Sequence, residues 1–168
     1  MITEEEKRQH RVCFTGHRPE KLKRSEEEIR HDLRAEIIKA AKSGKNVFIS
    51  GMARGVDMWG AQIVLELREE YSLKLICASP YKGAELAWRA EWQSQYREIL
   101  DAADMVEFIC AGYDSCCYHM RNKWMVDRSS VVIAVFDGEK GGTANTIKYA
   151  EKNRRSGLHY QRLIIPYT

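Results

Sequence analysis

Asn46-Val-Phe-Ile-Ser-Gly-Met-Ala-Arg-Gly-Val-Asp57 is a short apolar run that stops at a turn holding two glycines. A strand buried on both faces reads as a continuous β-branched and aromatic run of this kind. Gly51 and Gly55 allow the backbone to bend sharply after it and to come close to a ligand. The residues from Val56 to about Glu70 read as a helix. The unpaired N–H groups and partial positive charge at the start of that helix face the turn, a combination that binds anions. Ser50, Gly51, Met52, Gly55 and Asp57 are therefore candidate ligand-binding residues. Asp57 has two available roles, capping the helix or accepting hydrogen bonds from ribose hydroxyls, because a carboxylate beside phosphate repels it.

A single glycine-bearing turn is explained equally well by sterics, but the pattern recurs. Val12-Cys-Phe-Thr-Gly-His-Arg-Pro19 ends an apolar run with Gly16 and two potential phosphate donors, His17 and Arg18. A guanidinium makes paired hydrogen bonds to phosphate oxygens; the competing role for Arg18 is a surface ion pair. Val131 to Phe136 leads through Asp137 into Gly141-Gly142-Thr143, where amides and a hydroxyl meet the start of another helix. Thr143 as a plain N-cap is the alternative there.

Working outward, Ser25 and Glu28 fit a capping box, followed by Ile29, Leu33 and Ile37 at helical spacing and by Gly44 as a stop. Leu73 to Ala78 reads as a strand ended near Pro80, and Glu85 to Ala102 as one helix with Trp88, Trp92, Tyr96, Ile99 and Leu100 on its apolar face. Asp104 to Ile109 is a strand, Tyr118 to Ser129 a helix with Arg121 and Asn122 in its first turn, Thr143 to Arg155 a helix, and Arg162 to Ile165 the last strand. Strands alternating with helices predict an α/β fold: a Rossmann-like, doubly wound, mainly parallel six-stranded sheet with helices on both faces. Ligands of such sheets bind beyond the carboxyl ends of the strands, where all three glycine turns fall.

At 168 residues and 19.5 kDa, with 44% hydrophobic residues, the chain suits one Rossmann-like domain over residues 1–168. Residues 1–10, polar and carrying three consecutive glutamates, read as a flexible tail. No apolar run approaches a membrane span, and five cysteines without Cys-x-x-Cys spacing argue against a disulfide framework, so a cytoplasmic protein with reduced thiols and no membrane partner is expected. A net charge of +3 permits nucleic acid without demanding it. Cys110, Cys116, Cys117 and His119 have soft metal-ligand chemistry, but adjacent cysteines seldom make two good bonds to one tetrahedral ion, so no metal is assigned. Tyr113 and Tyr118 in the same stretch are candidates to stack against a ligand base. Trp88, Trp92 and Trp124 offer aromatic surface that suits either packing or a homodimer.

Gly16-His-Arg-Pro19, Gly51-Met-Ala-Arg-Gly-Val-Asp57, Arg121-Asn-Lys-Trp-Met-Val-Asp127 and Gly141-Gly-Thr143, in this order, resemble the YpsA-like family of the SLOG superfamily. The likeness spans roughly residues 11 to 166, and the superfamily also holds DprA and the Lonely Guy phosphoribohydrolases. It implies a Rossmann-like pocket for a nucleotide or related phosphorylated ligand, ADP-ribose-like compounds included, and adds Arg121, Asn122 and Asp127 to the candidate residues. The resemblance to the hydrolases is partial: Arg121 matches their arginine, but Asn145 and Thr146 stand where their acidic residues would be. An amide is neither a general base nor a negative charge, which disfavours that mechanism.

The expected function is thus nucleotide or nucleotide-derivative binding and sensing, with no certain cofactor and no assigned catalytic residue. Hydrolysis of an N-glycosidic bond in a nucleotide is the alternative. Single-stranded nucleic-acid binding, suggested by the DprA kinship and by Lys148, Lys152, Arg154 and Arg155, comes third.

Overall fold

A computed structural model describes residues 1–136, 139–155 and 161–165, with side chains as far as residue 152. The chain begins with helix α1 (Glu4–Arg8), then β1 (Arg11–Gly16), α2 (Glu26–Lys42), β2 (Val47–Ser50), α3 (Val56–Tyr71) and β3 (Lys74–Tyr81). It continues through α4 (Ala90–Ala102), β4 (Met105–Cys110), α5 (Cys117–Asp127), β5 (Val131–Val135), α6 (Gly142–Arg155) and β6 (Gln161–Ile165). Every strand pairing is parallel, in the order β4-β3-β2-β1-β5-β6. Five strands, described with their side chains, form the body of the sheet; β6 adds to its β5 edge as a backbone ladder. The sheet is parallel throughout, in keeping with the mainly parallel sheet expected, and β6 extends its five-stranded body at the β5 edge.

The chain winds outward from β1 to β4 and then crosses back to β5. The strand order therefore reverses between β1 and β5, at the centre of the sheet. Helices α2, α3 and α4 cover one face, with Ile29, Leu33, Ile37, Met58, Val64, Tyr96 and Ile99 packed on Val12, Phe14, Phe48 and Leu75. Phe14 and Phe48 stack at 5.9 Å between ring centroids. Helices α5 and α6 cover the other face through Met125, Val126 and Ala150 against Cys13, Ile49 and Val132. Each such fully buried Leu, Ile or Phe contributes about 1.5–3 kcal/mol.

The capping box of α2 is present: the Ser25 hydroxyl accepts from the Glu28 N–H, and the Glu28 carboxylate accepts from the Ser25 N–H. Elsewhere the expectations need correction. Residues 1–10 are not wholly a loose tail, because Thr3 caps α1 and Arg8 is buried. The helix read over Glu85 to Ala102 is two pieces, a 3₁₀ turn (Ala84–Ala87) and α4, with Trp88 and Arg89 extended between them. Helix α5 starts at Cys117, so Arg121 and Asn122 lie in its second turn rather than its first. Asp137, read as part of the turn after β5, lies outside the described residues, as do the side chains of Arg154 and Arg155.

Candidate functional site

The three glycine-bearing strands are neighbours, in the order β2-β1-β5, although β5 is far from the others in sequence. Their carboxyl ends open into one cavity of about 570 Å³. Gly16, His17 and Arg18 line it from the turn after β1, Met52 and Asp57 from the turn after β2, Arg121 and Asn122 from α5, and Gly142 and Thr143 from the start of α6. The remaining expected residues stand elsewhere. Ser50, Gly51, Gly55, Asp127 and Gly141 are absent from the lining.

Most of these absent residues hold the wall in shape. The Ser50 hydroxyl, fully buried, donates to the Asp57 carbonyl at 2.7 Å and accepts from the Met52 N–H at 3.2 Å. Gly55, at φ 92°, caps α3 in a conformation that side chains resist. Gly51 lies behind the wall, where a Cβ atom would stand 2.7 Å from Asp57 Oδ2 and 3.0 Å from Arg121 Cδ. Asp127 is turned to α6, accepting from the Tyr149 hydroxyl at 2.7 Å. Gly141 is exposed at φ 148°, immediately ahead of α6.

Asp57 does not cap α3. It is the second residue of that helix, buried, and its Oδ2 accepts from the Ala53 N–H at 3.4 Å, bracing the preceding turn. Likewise Thr143 follows Gly142 inside α6 instead of capping it. Burial pushes the Asp57 carboxyl up to about 6, because desolvation of the charged form outweighs the nearby Arg121 and the Ala53 N–H, which pull the other way. Arg121 is buried too, and desolvation lowers its pKa while Asp57 opposes that shift. Its guanidinium is pinned by donation to the Gly51 carbonyl at 2.7 Å and to Asn122 Oδ1 at 3.0 Å.

Arg18, Lys21, Arg54 and Arg121 are the cations of the lining, against the single carboxylate Asp57. Arg54 is paired with Glu20 at 2.9 Å, and Arg18 is exposed at the mouth. His17 is buried, its ring stacked on Phe136 at 6.3 Å. The arrangement suits an anionic ligand whose charge meets guanidinium groups and helix N-termini, with one carboxyl able to accept from hydroxyls or to hold a proton.

Sequence reading passed over the β3 side of the cavity. Pro80, Tyr81, Ala84, Ala87 and Trp88 line it; beside them stands Tyr118, one of the two rings expected to stack against a ligand base, while Tyr113, the other, is not in the lining. Gly83, at φ 89°, follows the carboxyl end of β3 but stands apart from the three turns singled out, and the place of β3 beside β2 puts that end on the same rim. Trp88, read as packing or interface surface, is half-buried at the wall with its ring edge-on to Tyr96 at 5.6 Å. Glu85, next to these residues, is buried with Oε2 lacking a hydrogen-bond partner. The sulfur cluster does not join the cavity: Cys117 donates to the Gly112 carbonyl, all five cysteines are free, and no grouping of three or more His, Cys, Asp or Glu suited to a metal occurs among the described residues.

The chain matches the YspA SLOG family over residues 12–167. It belongs to that family. Among its relatives is a Bacillus subtilis (strain 168) protein named "Uncharacterized SPbeta prophage-derived protein YoqJ", 31% identical over 124 residues that cover 66% of this chain and 72% of the relative. A UPF0398 protein of Bacillus thuringiensis (strain Al Hakam) is 29% identical over 167 residues, covering 94% of this chain and 90% of its own. Two solved structures share the fold. DNA processing protein A from Helicobacter pylori, described in a study of its single-stranded DNA binding mode, superposes with a TM-score of 0.67 at 20% identity, over 98% of this chain and 68% of that one. DprA from Streptococcus pneumoniae gives 0.66 at 16% identity, over 95% of this chain and 51% of that one. Among the described residues of this SLOG-family chain, no helix is long and apolar enough to cross a membrane.

Proposed function

We propose that this SLOG-family protein binds a nucleotide or nucleotide derivative, ADP-ribose-like compounds included, in the cavity at the carboxyl ends of its strands, and that it acts as a sensor of that ligand. One observation carries the reading: glycine turns from three strands, two buried or rim arginines and the start of α6 open into the same 570 Å³ space. That volume lies in the range of small-molecule sites and far exceeds what a lone phosphate fills. The phosphate is assigned to Gly16, His17, Arg18, Gly142 and Thr143, the ribose to Asp57 and Asn122, and a central anchoring charge to Arg121.

A thermal-shift panel of nucleoside mono-, di- and triphosphates, dinucleotides and ADP-ribose tests it. Ligand at 100 times its dissociation constant adds about 2.7 kcal/mol, raising the melting temperature by roughly 5–10 °C for a chain of this size. Arg18→Ala is expected to abolish most of the rise. A flat panel overturns the proposal.

Hydrolysis of an N-glycosidic bond gains support from one feature, the Asp57 carboxyl, which lines the cavity and holds its proton up to about pH 6. A carboxylic acid so placed is suited to protonate a departing base. Chromatography of nucleotide incubations at pH 5–7 decides: release of free base that Asp57→Asn abolishes makes the protein an enzyme, and its absence leaves binding. Single-stranded DNA, the ligand in the study of the Helicobacter pylori protein, is the third reading. It requires affinity that falls steeply with salt.

A further inference from the structure

The rim of the sheet separates two chemistries. The turns after β1 and β5 bring backbone amides, His17 and Arg18, whereas the end of β3 and the start of α5 bring the rings of Tyr81, Trp88 and Tyr118. Strands β2 and β1 lie between β3 and β5, so three inter-strand spacings, about 14 Å, part the aromatic side from the α6 turn. A nucleoside phosphate has the same polarity, with an aromatic base on one side of the ribose and phosphate on the other.

Tyr118 is the ring that folding leaves unexplained. It belongs to neither apolar core and stays 39% exposed while lining the cavity. Yet it is held in place. The Arg121 guanidinium, itself buried and pinned to the Gly51 carbonyl, lies 5.6 Å from its ring centroid. Tyr81 meets it edge-on at 6.4 Å, with Tyr113 edge-on to Tyr81 from elsewhere at 5.6 Å. Trp88, on the same wall, is likewise fixed by Tyr96, whose hydroxyl bonds Ser79 at 2.7 Å. A ring pre-set by a cation and an aromatic edge loses little freedom when a base stacks on it.

We propose that Tyr118, backed by Arg121 and Tyr81 and sharing the cavity with Trp88, is the stacking platform for the base of a nucleoside phosphate whose phosphate lies at the Gly16–Arg18 and Gly142–Thr143 turns. This assignment rests on the nucleotide reading above and narrows it: the base is bound by its face, not merely tolerated. It also separates Tyr118 from Tyr113, which is 71% exposed and outside the lining.

Calorimetric titration of the full chain with ribose 5-phosphate and with the four ribonucleoside 5′-monophosphates tests it. The tightest monophosphate is expected to bind roughly 5- to 100-fold more tightly than ribose 5-phosphate, the gain typical of one base–aromatic stack. Tyr118→Ala removes that gain and leaves ribose 5-phosphate affinity unchanged; Tyr118→Phe and Tyr113→Ala retain it. Equal affinity for ribose 5-phosphate and all four monophosphates overturns the base platform alone. An equal loss for both ligand types in Tyr118→Ala also overturns it, since the ring then only shapes the cavity. No binding of any of the five overturns this assignment, and the nucleotide reading falls with it only when the thermal-shift panel is flat as well.

Discussion

Asp57 carries two opposed demands. Its carboxyl braces the turn through the Ala53 N–H, yet it is buried at a wall where charge is expensive to keep. The native group holds its proton up to about pH 6, whereas the unfolded one releases it near the ordinary value of 3.8. Between those values the native state binds more protons, so stability falls as pH rises from about 4 to 6 and levels off above. The full decline amounts to about 3 kcal/mol for a shift from 3.8 to about 6. Asp57→Asn is expected to flatten it, as urea denaturation at pH 4, 5, 6 and 7 will read. Gly51→Ala tests the neighbouring contact: a Cβ 2.7 Å from Asp57 Oδ2 overpacks the wall, an effect of about 1–3 kcal/mol, seen as a lower urea midpoint at pH 7. At this scale the sequence says which residues stand near the strand ends and little about which way each one points. Gly16, Arg18, Asp57, Arg121 and Thr143 reach the cavity, whereas Ser50 and Asp127 spend their polar atoms on Asp57 and Tyr149. Which way a side chain bonds depends on neighbours distant in the chain.

Among the elements, α2 was readable to within a residue because its signals are local: a capping box, apolar residues at helical spacing, and Gly44 at φ 95° beyond the last turn. Ser25→Ala removes the box and is expected to cost about 1 kcal/mol in a denaturant titration, with ligand affinity unchanged because Ser25 does not line the cavity. A loss of binding in that variant would contradict the separation of cap from site. The break before α4 was not readable. Residues 85–102 keep helical periodicity throughout, but Trp88 and Arg89 are extended, which turns the Trp88 ring against Tyr96 and to the wall of the cavity. Tertiary packing of one large ring overrode the local pattern there.

Across the whole molecule, both apolar cores lean on the same strands. Val12 and Cys13, successive in β1, point to opposite cores, as do Phe48 and Ile49 in β2. Neither layer can be lost without stripping the other of its support, so unfolding is expected to be a single transition, with far-ultraviolet circular dichroism and tryptophan fluorescence melting together. Two resolved transitions would show that the α5–α6 layer detaches on its own. The sequence by itself determined the alternation of strands and helices, the parallel sheet that alternation requires, and the glycine turns at strand ends, since periodicity and backbone freedom act over a few residues. Only the tertiary structure decided that β5 lies beside β1, that Arg121 is buried across from Asp57, and that Tyr81, Trp88 and Tyr118 complete the cavity. Strand order and side-chain burial are set by contacts between residues far apart in the chain, which no local pattern encodes.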